Sequence, residues 1–510
     1  MPDARKFAGI LSRLMRITFT LYLGITLLPF AALAEEAARH FALHIVDSQT
    51  GRGVPLVEVK TVSNLRLWTD SAGYIAMDDP ALLGRKVFFH ISSHGYEFPA
   101  DGFGIHGVRL DVVAGGEATL KINRINIAER LYRITGEGIY RDSVMLGKKA
   151  PIAEPSLNAE VVGQDSTLNA IYQGKLWWFW GDTMRQSYPL GHFSTAGATS
   201  ALPGDGGLDP AVGVNLKYFV DESGFSRPMV PPIGGQLHWI DGVVTLKDDQ
   251  GRERMVATLL RLKSLSEWVG RDFVVFDDDK AVFQSQKMLD LKSPFLLCGH
   301  PFRHAVDGVD YFYCGEFFPN LRVKADWKSV SDPDAFEAYM PASDDAGKQS
   351  WAWRKHVSPA AYEAEEKGIR SGKAKPEEMP FQLTDASRGR FVQAHHGSAC
   401  WNEFRHKFVM ITAEHGGTSS FLGEIWYAEA DAPEGPWHAA RKILTHDRYS
   451  FYNPVQHPFF QQEGGRVIYF EGTYAATFSR DSDFTPRYDY NQMMYRLDLS
   501  DSRLKGAASK

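Results

Sequence analysis

Two aspartates, Asp165 and Asp182, stand at the two ends of one short stretch, "DSTLNAIYQGKLWWFWGD". Between them lie two apolar-rich runs separated by Gln173-Gly174, a pattern that reads as a β-hairpin. The two ends of a hairpin lie side by side, so both carboxylates fall at one edge of the same unit. Paired carboxylates suit glycoside hydrolysis: one protonates the leaving oxygen while the other activates water or attacks carbon. A single acid at a strand end usually serves a turn or a hydrogen bond. Recurrence at equivalent positions is what raises such acids to candidates.

The hairpin plan recurs. After the first copy, "GQDSTLNAIYQGKLWWFWGDT" (163–183), come "GGQLHWIDGVVTLKDDQGRERMVATLL" (234–260), "SPFLLCGHPFRHAVDGVDYFYCGEF" (293–317), "HGSACWNEFRHKFVMITAE" (396–414) and "NPVQHPFFQQEGGRVIYFEGT" (453–473). Five copies, spaced by roughly 50–100 residues, point to a radial array of blades, a β-propeller. In such an array the start of each first strand and the end of each second strand meet at one mouth. The ends of second strands carry Glu316, Glu414 and Glu471, and the starts of first strands carry His395, His396 and Asn453, with His457 further along. These are the candidate substrate-binding residues. Trp177, Trp178, Trp180, Trp401 and Tyr452 offer flat faces to sugars, although packing between blades accounts for most of them. A second reading gives Arg405 a part: with His395 and His396 it would serve a polysaccharide lyase, in which a cation neutralises a uronate and an imidazole removes the α-proton. A third reading is a carbohydrate-binding module without catalysis. Metal binding is not expected, because adjacent strand residues such as His395 and His396 point to opposite faces.

"VVGQDST" followed by "LWWFWGDT" resembles the first blade of five-bladed propeller glycosidases, especially the endo-D-arabinanase-like family. "GEIWYAEADAPEGPW" (423–437) is similar to a blade strand and turn of that family and of the wider arabinanase and fructosidase group, and "YNPVQHPFF" with "GRVIYFEGTY" fits a closing blade. The resemblance implies a glycoside hydrolase with its catalytic acids in the first blade, which map onto Asp165 and Asp182 alone. The later acidic motif of classical arabinanases has no clear counterpart here.

Ahead of the blades, residues 39–125 alternate apolar and polar residues in short runs broken by turn residues, which predicts a small β-sandwich. "DSQTGRGVPLVEV" followed by "TDSAGYIAM" resembles the transthyretin-like carboxypeptidase regulatory-like domain, in that family usually an accessory module. The segment "INIAERLYRI" (125–134) reads as a short helix or a linking strand. The propeller is expected over 136–500, with a partly helical, charged insertion at about 331–389, where "DPDAFEAYM" and "SPAAYEAEEKGIRSGKAKPEEM" favour helix and Ser358-Pro359 fits a helix start. The fold class is therefore all-β: a small sandwich, then a five-bladed propeller. A content of 12 Trp, 20 Tyr and 32 Phe with frequent Gly and Pro agrees with many short strands and tight turns.

The first 34 residues carry Arg5, Lys6, Arg13 and Arg16, an apolar run from Leu21 to Leu33 and a small-x-small end at Ala32-Leu33-Ala34. This order predicts a cleavable signal peptide and a secreted or periplasmic protein. The apolar run is too short for a stable membrane span. A net charge of −6 and the absence of a basic run with interleaved aromatics exclude a nucleic-acid partner. No Gly-rich phosphate loop, Cys-x-x-Cys or Gly-x-Ser-x-Gly is present, so no cofactor is expected and the partner is a carbohydrate. Cys298 and Cys314 face one another across the Val306-Asp307-Gly308 turn and would form either a bridge or buried thiols; Cys400 is left over.

Overall fold

The computed structural model describes residues 39–506 except 232–235, 265, 344–348, 376–377 and 480–482. The expected signal peptide lies outside the described residues. Strands dominate, and the chain divides into two compact units, one of residues 39–93, 97–123 and 140–150 and one of 94–96, 124–139 and 151–506.

In the first unit, Phe41–Asp47 sits between an antiparallel neighbour, Tyr74–Met77, and a parallel one, Glu117–Arg124. A second sheet runs in the order Arg66–Trp68, Glu58–Thr61, Arg85–Ser92 and Gly107–Val112. Alternate apolar residues on these strands, among them Leu43, Ile45, Val59, Phe89, Ile91 and Ile122, are buried, as a sandwich requires. A short helix, Arg141–Met145, belongs to this unit and is tied by its backbone: the Ser143 N–H donates to Asp70 Oδ2 (2.7 Å).

The second unit is a five-bladed propeller. Blade 1 comprises Leu168–Tyr172, Lys175–Trp180, Ala196–Ser200 and Lys217–Tyr218. Blade 2 runs through Leu237–Lys247, Glu253–Ser264, Glu267–Asp277 and Val282–Leu289. Blade 3 starts with Phe302–Val306 and Val309–Cys314 and blade 4 with Ala394–Asn402 and Lys407–Glu414; each has five strands. Blade 5 is Ser450–Gln456, Val467–Ala475 and Asn491–Asp498, completed by Glu129–Arg133. The stretch 125–134 thus supplies a strand, and that strand closes the ring by pairing antiparallel with the last blade. All five of its side chains are buried.

Each blade is held by burying its faces on its neighbours. Phe179 and Trp177 pack with Ile240, Met255 and Phe276 between blades 1 and 2. Val256 and Phe273 meet Phe312 and Leu321 between blades 2 and 3. Phe317 and Phe318 join Met410 and Trp426 between blades 3 and 4. The seam between blades 4 and 5 is polar, with Gln456 Nε2 donating to the carbonyls of Ser398 (2.9 Å) and Val409 (3.0 Å). Trp178 and Trp180 fill the closing seam with Tyr469 and Met494.

The stretch at 331–389 is only partly helical. Pro359–Ser371 is a helix capped by the Ser358 side chain, as the sequence predicts. "DPDAFEAYM" instead makes a single 3₁₀ turn and then the strand Glu337–Ser343, which with Gln349–Lys355 completes blade 3. Ala338 and Met340 on this strand are buried against blades 2 and 3, and that packing overrides local helix propensity.

Candidate active site

A recurring kink shapes the mouth. The first strands, or their approaches, contain a left-handed residue in four blades: Ser166 (φ 57°), Gly242 (φ 59°), Gly299 (φ 61°) and Asn453 (φ 50°). In blade 4 the register shifts between Ala394 and Gly397 instead. A bulge of this kind re-aims the neighbouring side chain. The residues so placed are Asp165, Asp241, His300, His395 with His396, and Tyr452.

Asp165 and Asp182 bridge two sheets. Gln164 pairs with Thr183 in a small sheet, and Leu168 pairs with Phe179 in blade 1. The two aspartates occupy the junction between these pairs. The Gly181 N–H donates to the Asp165 carbonyl (2.8 Å) and the Asp182 N–H to Asp165 Oδ1 (3.1 Å). A Cβ on residue 181 would lie 2.4 Å from Asp165 Oδ1, so only glycine lets the carboxylate approach. Tyr452 from blade 5 donates its hydroxyl to Asp165 Oδ2 (3.0 Å). Among the described residues Asp182 accepts one side-chain hydrogen bond, from Trp239 Nε1 of blade 2 (3.0 Å).

Both acids are half-buried and their electrostatics differ. Desolvation raises the Asp165 pKa, opposed by Tyr452, Tyr490, Ser166 and the Asp182 N–H. Desolvation and then the Asp165 charge push Asp182 up to about 7, opposed only by Trp239. Two neighbouring carboxylates resist simultaneous ionisation, and the partner whose carboxylate receives more hydrogen bonds ionises first. Here that partner is Asp165.

Around the ring, Asn453 Nδ2 donates to Ser166 Oγ (2.8 Å) between blades 5 and 1. Asp241 Oδ1 accepts the N–H groups of Gly242 (2.8 Å) and Gly299 (2.9 Å), linking blades 2 and 3. Burial raises Asp241 to about 6 against those donors, and Glu316 adds to the rise. Glu316, whose side chain is 59% exposed, lies 3.9 Å from His396 of blade 4. Burial lowers His300 and His395 to about 3. The rings of His395 and His396 stand 4.4 Å apart at 82°, because the bulge breaks the alternation that would send them to opposite faces. Among the described residues no group of three or more His, Cys, Asp or Glu side chains is placed to hold a metal ion.

The structure thus sets Asp182 against Asp165, with Asn453 on the neighbouring Ser166, and separately groups Glu316 with His396 and His395. Four other expected residues are placed elsewhere. Arg405 sits in the hairpin turn at the far end of blade 4, paired with Glu429 (2.6 Å). Glu414 is 2% exposed and is held by Arg390 Nη2 (2.8 Å) and Trp426 Nε1 (2.9 Å) within its own blade. His457 and Glu471 form a buried pair 3.3 Å apart in the closing seam, where His457 faces Trp178. Strand position alone does not decide where such side chains point; pleat and seam packing set their direction.

The sequence reading passed over Asp241, Trp239, Tyr490 and His300. Asp241-Gly242 reads locally as a turn; in the fold it is a bulge inside an eleven-residue strand. Aligning the four left-handed positions would have exposed it. Trp177, Trp178 and Trp180 are buried in the seams. Cys298 and Cys314 are free thiols in mutual contact, and Cys400 is buried alone.

No protein-family model matches this chain, and no curated protein does. Solved structures similar to it include glycoside hydrolases. They include an exo-β-1,3-galactanase from Phanerochaete chrysosporium (9% identity, 72% of this chain and 64% of that one, TM-score 0.36). An α-L-arabinofuranosidase from Fusarium graminearum (12% identity, 73% and 98%, TM-score 0.33) and a GH43 enzyme from Xanthomonas citri (12%, 67% and 87%, TM-score 0.33) are also similar. This chain spans a little under two thirds of the galactanase's length.

Proposed function

We propose that the protein hydrolyses glycosidic bonds at the propeller mouth, with Asp182 as general acid and Asp165 as the carboxylate that activates water or attacks the anomeric carbon. The observation that carries this reading is the asymmetry of the pair. Asp165 has both oxygens in hydrogen bonds, one from the Tyr452 hydroxyl and one from a backbone N–H, whereas Asp182 has a single indole donor. Donors stabilise a carboxylate, and their scarcity together with a neighbouring negative charge keeps the other acid protonated near neutral pH. A division of this kind between acid and base is what the reaction demands.

Asp241 and Glu316 stand across the opening, and Arg271 of blade 2 lies near both and offsets their charge. The half-buried Trp239 and Tyr490 border the acids and offer surfaces for a sugar ring. A lyase fits less well. Burial lowers His300 and His395 to about 3 and also lowers His396, which weakens these imidazoles as bases for removing an α-proton, and Arg405 is not beside them.

The amino-terminal basic, apolar and small-residue order supports export before action, and the first unit, a small sandwich, is proposed as an accessory module. The deciding experiment screens the secreted protein against a polysaccharide panel and repeats the productive reaction with Asp165→Asn and Asp182→Asn. Loss of turnover in both, with the fold intact, supports the assignment. Full activity in both variants refutes it, and a product with a new C=C bond absorbing in the ultraviolet replaces it by the lyase.

A further inference from the structure

Resting on that hydrolytic reading, we infer that the substrate is an acidic glycan whose carboxylate is received by Arg370 in the notch between blades 3 and 4. Arg370 lies in the last turn of the helix Pro359–Ser371, part of the chain between the two blades. Its guanidinium carbon lies 4.4 Å from the centre of the Phe317 ring. Phe317 in turn lies 6.2 Å from the His395 ring and 5.7 Å from the His396 ring, so the cation borders the mouth.

This cation has no carboxylate partner among the described residues. Its Nε is buried and makes no hydrogen bond, and Nδ1 of His395, on which the Arg370 charge acts, is likewise buried and unpaired. Leaving two such atoms unsatisfied is costly unless something occupies the notch. Other arginines of the same propeller are committed: Arg390 to Glu414, Arg405 to Glu429, Arg322 to Glu337 and Arg261 to Asp272.

Nearby carboxylates do not consume the charge. Glu366, one turn earlier on the helix, feels the Arg370 charge but is turned to Asn320 and Tyr362, and burial pushes its pKa up to about 7, so that it is only partly ionised at neutrality. Glu316 faces His396 and shares Arg271 with Asp241. The Arg370 charge is felt at His395, His396 and His415, all of which burial keeps neutral. The notch therefore offers one fixed guanidinium, aromatic backing and neutral imidazoles as hydrogen-bonding groups. A planar, permanently charged fork of this kind matches a sugar carboxylate, which it can grip through two parallel hydrogen bonds.

The test measures affinity without turnover, using mature protein carrying Asp182→Asn. Calorimetry compares matched pairs: trimers of galacturonate, glucuronate, mannuronate and guluronate, each beside its carboxyl-reduced neutral counterpart. At least one acidic trimer is expected to bind tenfold or more tightly than its neutral partner. Arg370→Gln should reduce that contrast to within twofold, and Arg370→Lys should restore part of it, with unchanged circular dichroism and Tm in each. Equal affinity within every pair, no binding by any trimer, or a contrast that survives Arg370→Gln overturns the inference. Failure of the hydrolytic reading shows separately, as persistent turnover in the Asp165→Asn and Asp182→Asn proteins.

Discussion

Replacing Gly181 by alanine isolates the placement of one carboxylate. Residue 181 does not have the left-handed backbone that would itself exclude a side chain, so Gly181→Ala introduces a methyl group and little else. That methyl would sit 2.4 Å from Asp165 Oδ1. Carbon and oxygen rarely approach within about 3 Å, so the carboxylate must retreat by about 0.6 Å. The retreat lengthens the 3.1 Å hydrogen bond from the Asp182 N–H and the 3.0 Å bond from Tyr452. Hydrogen bonds to a charged group contribute about 1.5–3 kcal/mol each, and a misplacement of about 1 Å at a reacting centre costs on the order of a hundredfold in rate. The expected result is a fall in kcat/KM of about tenfold to a hundredfold on whichever oligosaccharide the wild type cleaves. The Tm should change by only a few degrees, because the site is half-buried and the apolar packing of the blade seams is left in place. Wild-type kcat/KM in Gly181→Ala would show that Asp165 need not stand where it does, and the assignment of the pair would fall with it.

The pH dependence follows from the same asymmetry. Activity should decline as pH rises through about 7, when Asp182 loses its proton, and Tyr452→Phe should move the acidic limb upward by removing a donor from Asp165. Stability should show the opposite face of the same arrangement. The folded pKa of Asp182 lies above its unfolded value, so its ionisation lowers stability as pH rises from about 4 to about 7. Asp182→Asn should therefore be more stable than wild type at pH 8, by about 2–4 kcal/mol, with the gain absent below pH 4 by thermal denaturation. Glu414→Ala leaves Arg390 with Glu424 alone and the buried Trp426 Nε1 without its acceptor, and should destabilise the fold by about 1–3 kcal/mol in urea titration while leaving the KM of the surviving enzyme unchanged. Deleting the strand Glu129–Arg133 opens the ring and should abolish cooperative unfolding, seen as loss of the thermal transition.

Period and turn chemistry made much of the fold legible without coordinates. Alternating runs ending in Gln173-Gly174 or Asp307-Gly308 are hairpins because left-handed turn residues and strand pleats are local properties. Five recurrences of that hairpin implied the propeller, and with it the expectation that Asp165, Asp182, Glu316, His396 and Asn453 converge, since backbone polarity alone decides at which end a strand begins. Tertiary structure decided what local patterns do not encode. The strand Glu129–Arg133 closes the last blade because the ring needs a partner for Asn491–Asp498, a requirement set more than 350 residues away. Glu414 ends a second strand and Glu316 lies just past the end of another, whereas Glu471 falls inside Val467–Ala475; Glu414 and Glu471 pair with Arg390 and His457, because burial chooses the face. Asp241 and the paired imidazoles reach the mouth through bulges, and a bulge is a misregister between two strands that neither strand's sequence reveals alone. Arg370, more than fifty residues downstream of Phe317, comes to the site because its helix packs back over that ring, a long-range contact that only the folded chain can make.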